Sequence, residues 1–145
     1  TIKRLGVYNS VVYISCNLTI NTDAQFAIDI EMGGFVRFQG TTLTITRSTS
    51  MTDSIGIFVD NGGAFQTSIV SGTLNISNFT FAIGVNATGR FHAFSITGEN
   101  NAVGLRAFGG IITYNTIDAG LATTLYTTSR GGRIYTGGQA SVPSY

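Results

Sequence analysis

Three carboxylates are the residues of this chain best placed to do chemistry. Asp29 and Glu31 stand two positions apart in Ile28-Asp29-Ile30-Glu31, so in an extended segment both side chains leave the same outward face. Asp60 opens the turn Asp60-Asn61-Gly62 one repeat further on, which places it near Glu31. Two carboxyl groups at a suitable separation are the equipment of glycoside cleavage, and the charge of one raises the pKa of the other. The same acids can hold a cation. As solvated surface charge and an ordinary Asx turn they need no catalytic role at all.

His92 is the single histidine of the chain. With Phe91 inward it points outward, and aligning the second strand of each repeat stacks Arg37, Gln66, His92, Thr113 and Tyr135 into one polar ladder. Such a ladder is a candidate binding face, able to hydrogen-bond a sugar or a neighbouring subunit. No Ser or Cys nucleophile accompanies His92 and no second ligand stands beside it, so neither a catalytic triad nor a metal site is expected. The Gly-Gly pairs lack the Lys-Ser/Thr tail and the following helix of a phosphate loop. No metal and no cofactor are expected. Toward the C-terminus Tyr126, Arg130, Arg133 and Tyr145, with Arg106, Tyr114 and Tyr135, are of the types enriched in binding hot spots. Tyr126, Arg130, Arg133 and Tyr145 are the expected subunit contacts.

The elements that must position these residues repeat. The triplets Leu5-Gly6-Val7, Ile28-Asp29-Ile30, Ile55-Gly56-Ile57, Ile83-Gly84-Val85 and Val103-Gly104-Leu105, with a weaker copy at Leu125-Tyr126, start 23, 27, 28, 20 and 22 residues apart. A period of about 20–50 residues marks an architecture stacked from like units. Each triplet leads into a glycine turn and a second apolar stretch, such as Phe35-Val36-Arg37-Phe38 or Phe91-His92-Ala93-Phe94. A third pair closes most units: Leu18/Ile20, Leu43/Ile45, Leu74/Ile76, then Phe94-Ser95-Ile96 and Ile117. Three short alternating runs per unit, rich in Ile, Val, Phe and Thr, predict three strands. The expected fold is all-β, a single-domain right-handed parallel β-helix of five to six three-stranded rungs. Its inward stacks would be Ile28/Ile55/Ile83/Val103 and Ile30/Ile57/Val85/Leu105. A two-sheet sandwich, with Gly-Gly marking hairpins, is the alternative.

Residues 1–137 are expected to form this domain and residues 138–145 a C-terminal tail against a partner subunit. The composition is 43% hydrophobic but only 10% charged, ample for a core and well below the usual quarter of charged residues. Eight basic against seven acidic residues give a net charge of +1, so a nucleic-acid partner is not expected. No signal peptide or membrane span is visible. Cys16 stands alone, which rules out an intrachain disulfide, and is expected to be a small buried or half-buried residue.

The alternation of apolar-Gly-apolar with Gly-Gly-x-apolar between Thr/Ser/Asn-rich turns resembles the β-helical segments of bacteriophage virion proteins, namely tail fibres, tailspikes and decoration proteins. The likeness runs from Leu5 to about Gly137. It implies an extracellular, virion-borne and often trimeric rod for structure or host attachment, with itself, other virion proteins and a bacterial surface glycan as partners. Some members of that group cleave polysaccharides with carboxylate pairs, so a depolymerase acting through Asp29, Glu31 or Asp60 is the alternative function. A coil of this kind has unpaired strand edges at both ends, and neither end here carries a cap helix. With its low charge density the chain is therefore expected to form a homo-oligomer, a trimer by analogy with phage fibres, or to stack end to end.

Overall fold

The computed structural model describes residues 2–49 and 51–137. The first coil comprises β1 (Leu5–Tyr8), β2 (Val11–Ile14) and β3 (Leu18–Thr22), and the second β4 (Phe26–Glu31), β5 (Phe35–Phe38) and β6 (Thr42–Arg47). The third comprises β7 (Ile55–Val59), β8 (Ala64–Thr67) and β9 (Thr73–Ser77). From there two strands make a turn: β10 (Phe81–Asn86) with β11 (Arg90–Thr97), β12 (Asn101–Phe108) with β13 (Ile111–Ile117), and β14 (Ala122–Ser129) with β15 (Arg133–Thr136). Every pairing between these strands is parallel, and the chain is a β-solenoid of about five turns.

The first sheet has the order β1-β4-β7-β10-β12-β14. The second and third faces merge, because β11 pairs with β8 through its first half and with β9 through its second. A corner that separates two strands in the early coils is thus straightened into one long strand in the fourth. The sequence reading of three strands per rung holds for the first three coils only.

Inside lie unbroken stacks. In the first sheet Leu5, Ile28, Ile57, Ile83 and Leu105 form one, and Val7, Ile30, Val59, Val85 and Ala107 another. Val12, Val36, Phe65, Phe91, Ile112 and Ile134 line the second sheet, with the Phe65 and Phe91 rings stacked at 5.2 Å between centroids. Each fully buried aliphatic side chain contributes roughly 1.5–3 kcal/mol.

These stacks correct the expected register. Ile28 pairs with Ile57 rather than Ile55, and Ile83 with Leu105 rather than Val103. The physical reason is a break in alternation. Ala27 and Ile28, like Ala82 and Ile83, are consecutive and both belong to the central core. The residue before each pair is therefore turned outward, and Phe26, Ile55, Phe81 and Val103 occupy that outward row. Likewise Ile96 pairs with Leu74, so Phe94-Ser95-Ile96 sits two residues out of the expected frame.

The corner after the first strand is the same turn in several coils. In Glu31–Gly34 both central residues have positive φ, Met32 at 52° and Gly33 at 72°, and the Gly34 amide donates to the Glu31 carbonyl at 2.9 Å. That is a type I′ pattern, which favours Gly. Gly34 is needed for a different reason: a Cβ there would lie 2.3 Å from the Val7 carbonyl oxygen of the coil beneath. Cys16, expected to be buried or half-buried, is exposed at the corner between β2 and β3.

Candidate functional site

The polar ladder read from the sequence exists in register. Arg37 pairs with Gln66, Gln66 with His92, His92 with Thr113 and Thr113 with Tyr135, and Tyr13 extends the row below Arg37. The row does not form one open face. Arg37 and Tyr135 are exposed and Gln66 is half-buried, whereas His92 and Thr113 are each 1% exposed. His92 is therefore no surface hydrogen-bonder, contrary to the expected binding role.

Its chemistry follows from its neighbours. The Thr113 hydroxyl donates to the Phe91 carbonyl at 3.2 Å, so His92 Nδ1 carries the proton and donates to Thr113 Oγ1 at 3.0 Å. Nε2 is then a buried lone pair with no partner. Burial pushes the imidazole pKa down, because a proton on Nε2 would create a buried cation with nothing to accept from it.

Lower on the same face the ladder opens into a groove of about 600 Å³. Phe35, Ala64 and Arg90 form a second outward row parallel to Arg37, Gln66 and His92. Ala64 is the small member of that row, flanked by Phe35 and Arg90 in the coils on either side, and it leaves the depression. Gly33, Gly34 and Gly62 line one end, and Arg37, Gln66 and Thr88 also border the space.

The carboxylates lie on the first sheet, and the structure changes their meaning. Asp29 points outward yet is 3% exposed. Its Oδ2 accepts from the Arg4 guanidinium at 2.8 Å and from the Tyr8 hydroxyl at 2.5 Å. Tyr8 reaches it by laying its ring over Gly6, where a Cβ would meet Tyr8 Cε2 at 3.0 Å. Phe58 is the register partner of Asp29 in the next coil and stacks on Phe26 with centroids 4.6 Å apart. An aromatic lid above and an Arg-Tyr clamp below thus close the carboxylate off from a substrate. Asp29 is a structural ion pair and not solvated surface charge.

Glu31 is half-buried beside it. Burial, then the charges of Asp29 and Asp60, raise the Glu31 pKa. Asp29 Oδ1 is buried and has no hydrogen-bond partner among the described residues. The three acids are brought together as the sequence suggested. Among the described residues no group of three or more His, Cys, Asp or Glu side chains is placed to hold a metal ion.

The expected contact residues cluster at the C-terminal coil. Tyr126 and Tyr114 share a hydroxyl–hydroxyl bond of 2.6 Å, and burial together with that bond pushes the Tyr114 phenol far above its ordinary range. The Arg130 guanidinium lies 4.4 Å from the Phe108 ring centre, and Arg133 donates to the Tyr135 hydroxyl at 3.3 Å. Tyr145, with the rest of the tail 138–145, lies outside the described residues.

Two features escaped the sequence reading. Arg47, 3% exposed, donates through both terminal nitrogens to the carbonyls of Asp23 and Ala24 and pins the corner of the coil below. Phe26, Ile55, Phe58 and Phe81 form an apolar layer on the outside of the first sheet; the outward phase of Phe26, three residues before Asp29, was the missing signal. No protein-family model matches the chain, and neither curated proteins nor solved structures give a significant match.

Proposed function

We propose that this solenoid is a non-enzymatic structural or host-attachment component of a bacteriophage virion: a fibre, spike or decoration element, outside the cell. The observation that carries the reading is the outward row held in register from the first coil to the last, in which Tyr13, Arg37, Gln66 and Tyr135 reach the surface while His92 and Thr113 stay buried. A rigid rod that repeats side chains at about 4.8 Å is suited to displaying contacts along a polymer or a neighbouring rod. Of the three candidate acids the closed Asp29 leaves Glu31 and Asp60, which weighs toward binding over cleavage. Among the described residues no strand pairs beyond β1 and β2 at one end or beyond β14 and β15 at the other, and edges so placed can pair with further copies, as a trimer, or with other virion proteins.

Adsorption of the fluorescently labelled protein to a panel of bacterial cells tests the reading. Saturable adsorption that is lost when the surface glycan is stripped, with no shortening of purified glycan, is the expected outcome. Glycan shortening abolished by Asp60→Asn would instead establish the depolymerase. Light scattering tests assembly, and a stable monomer at all concentrations would remove the homo-oligomer.

A further inference from the structure

The turn Asp60–Gly63 holds an asparagine in position to react with its own backbone. Asn61 and Gly62 are its central residues, both exposed and both at positive φ, 47° and 75°, and the Gly63 amide donates to the Asp60 carbonyl at 2.8 Å. This is the type I′ geometry for which Asn-Gly is a preferred pair. The Asn61 amide donates to Asp60 Oδ1 at 2.7 Å, and the Asn61 carbonyl accepts from Gly33 of the coil beneath at 3.1 Å. The groups that remain are the Asn61 carboxamide and the Gly62 N–H, and neither is hydrogen-bonded to another described residue. A Cβ built on Gly62 would meet only Thr88 Oγ1, at 3.8 Å, so the space around Gly62 is open.

We infer that Asn61 is a site of spontaneous deamidation. The Gly62 nitrogen attacks Asn61 Cγ, a C–N bond forms and the Cγ–Nδ2 bond breaks; the proton given up by Gly62 leaves with Nδ2 as ammonia. Water then adds to either carbonyl of the five-membered imide, which opens to aspartate or to isoaspartate, the latter with the main chain running through Cβ. Ring closure turns the Asn61–Gly62 peptide plane and converts the type I′ turn to type II′, with the positive φ of Asn61 retained. The rotation gives up the Gly33 bond, and Gly33 is exposed, so its amide turns to water. Asn78, also exposed at positive φ, is protected at both reacting groups. Its Nδ2 donates to the Arg47 carbonyl at 3.2 Å, and the Phe79 amide that would attack donates to Asn101 Oδ1 at 3.0 Å. Asn9 and Asn100 share the positive φ but precede Ser10 and Asn101, whose side chains crowd the attacking nitrogen. Conversion places a new carboxylate next to Asp60, whose charge already acts on Glu31, and takes the formal net charge from +1 to zero. The inference rests on this turn and not on the virion reading.

Incubation of the folded protein in mildly alkaline buffer, followed by ion exchange and tandem mass spectrometry of the tryptic peptide Ser48–Arg90, provides the test. A more acidic species is expected to accumulate with time, with the mass gain of NH2 replaced by OH located at residue 61 and isoaspartate present among its products. Asn61→Asp marks where the aspartate product elutes. Asn61→Gly keeps a residue at home at positive φ and is expected to abolish the acidic species while the protein still melts cooperatively. The converted protein is expected to melt below the starting material, because isoaspartate lengthens the turn by one backbone atom and either product adds charge beside Asp60. Conversion located chiefly at Asn9, Asn78 or Asn100 would overturn the assignment. So would an acidic species that persists in Asn61→Gly. Conversion of the urea-unfolded chain with none in the folded protein would overturn it as well, by showing that the Gly33 bond locks the turn against ring closure.

Discussion

Phe58 and Gln66 belong to the same coil, and both point away from the central core. Phe58 is 7% exposed, stacked on Phe26 and packed near Ile55 above the buried Asp29. Gln66 borders an open groove floored by Ala64. The outside of the first sheet is thus a second small core, while the outside of the second sheet is indented by a groove at coils two and three and is buried at His92 and Thr113. Pointing outward and being exposed are separate properties in a solenoid. The residues above and below in the stack decide the second, and a large aromatic row covers itself where an alanine in the row leaves a gap.

Paired truncations offer the strongest way to break this contrast. Phe58→Ala is expected to cost about 3 kcal/mol, in the range of buried aromatic deletions, since it also uncovers Asp29. Gln66→Ala is expected to stay within about 0.5 kcal/mol, as for an ordinary surface site. Urea denaturation of the two variants measures both. Equal costs would mean that the two faces do not differ in the way described.

The sequence disclosed the coil and much of the site, and the reasons for the rest are specific. Parallel stacking, the polar ladder and the meeting of Asp29, Glu31 and Asp60 all follow from alternation with glycine turns at regular spacing. The register of the first sheet did not follow, because a slip of two residues leaves every side chain of an alternating strand on its expected face. Periodicity therefore cannot choose between Ile55 and Ile57 as the partner of Ile28. Ala27 and Ala82 carried the answer: two consecutive inward residues end the alternation and send Phe26 and Phe81 outward. Burial of His92 and Asp29 was hidden for a related reason, since it depends on neighbours in other coils.

Tyr8→Phe probes the clamp beneath Asp29. It removes one hydrogen bond to a buried carboxylate and leaves the Arg4 contact, whose guanidinium side is 48% exposed. The expected loss is about 1.5 kcal/mol, typical of a hydrogen bond to a charged group. A thermal melt indistinguishable from wild type would show that Arg4 alone suffices.

The two faces also titrate in opposite directions. His92 has a folded pKa below its ordinary 6.5, so the folded state binds fewer protons than the unfolded chain. The stability this represents is complete above about pH 6.5 and is lost as the pH falls below it. Melting temperatures followed from pH 7 to 5 are expected to fall in wild type and to fall less in His92→Asn, which keeps an N–H donor toward Thr113. Parallel curves for the two proteins would place the acid sensitivity elsewhere.

Glu31 gives the smallest effect and the opposite sign. Its folded pKa lies above the ordinary 4.5, so the folded state binds the proton more readily than the unfolded chain. The favourable contribution is complete below pH 4.5 and is lost as the pH rises through the raised folded value, which leaves an ionised Glu31 repelled by Asp29 and Asp60 at neutrality. Glu31→Gln makes the neutral form permanent and removes the repulsion by Asp29 and Asp60. Solvent screening of this half-buried group keeps the expected gain under about 1 kcal/mol. The gain is expected at pH 7 and should vanish below pH 4, where wild-type Glu31 already carries its proton. Melts of wild type and Glu31→Gln across that range check it. A gain that persists unchanged in acid would mean that the amide acts through packing and not by relieving the repulsion of Glu31 by Asp29 and Asp60.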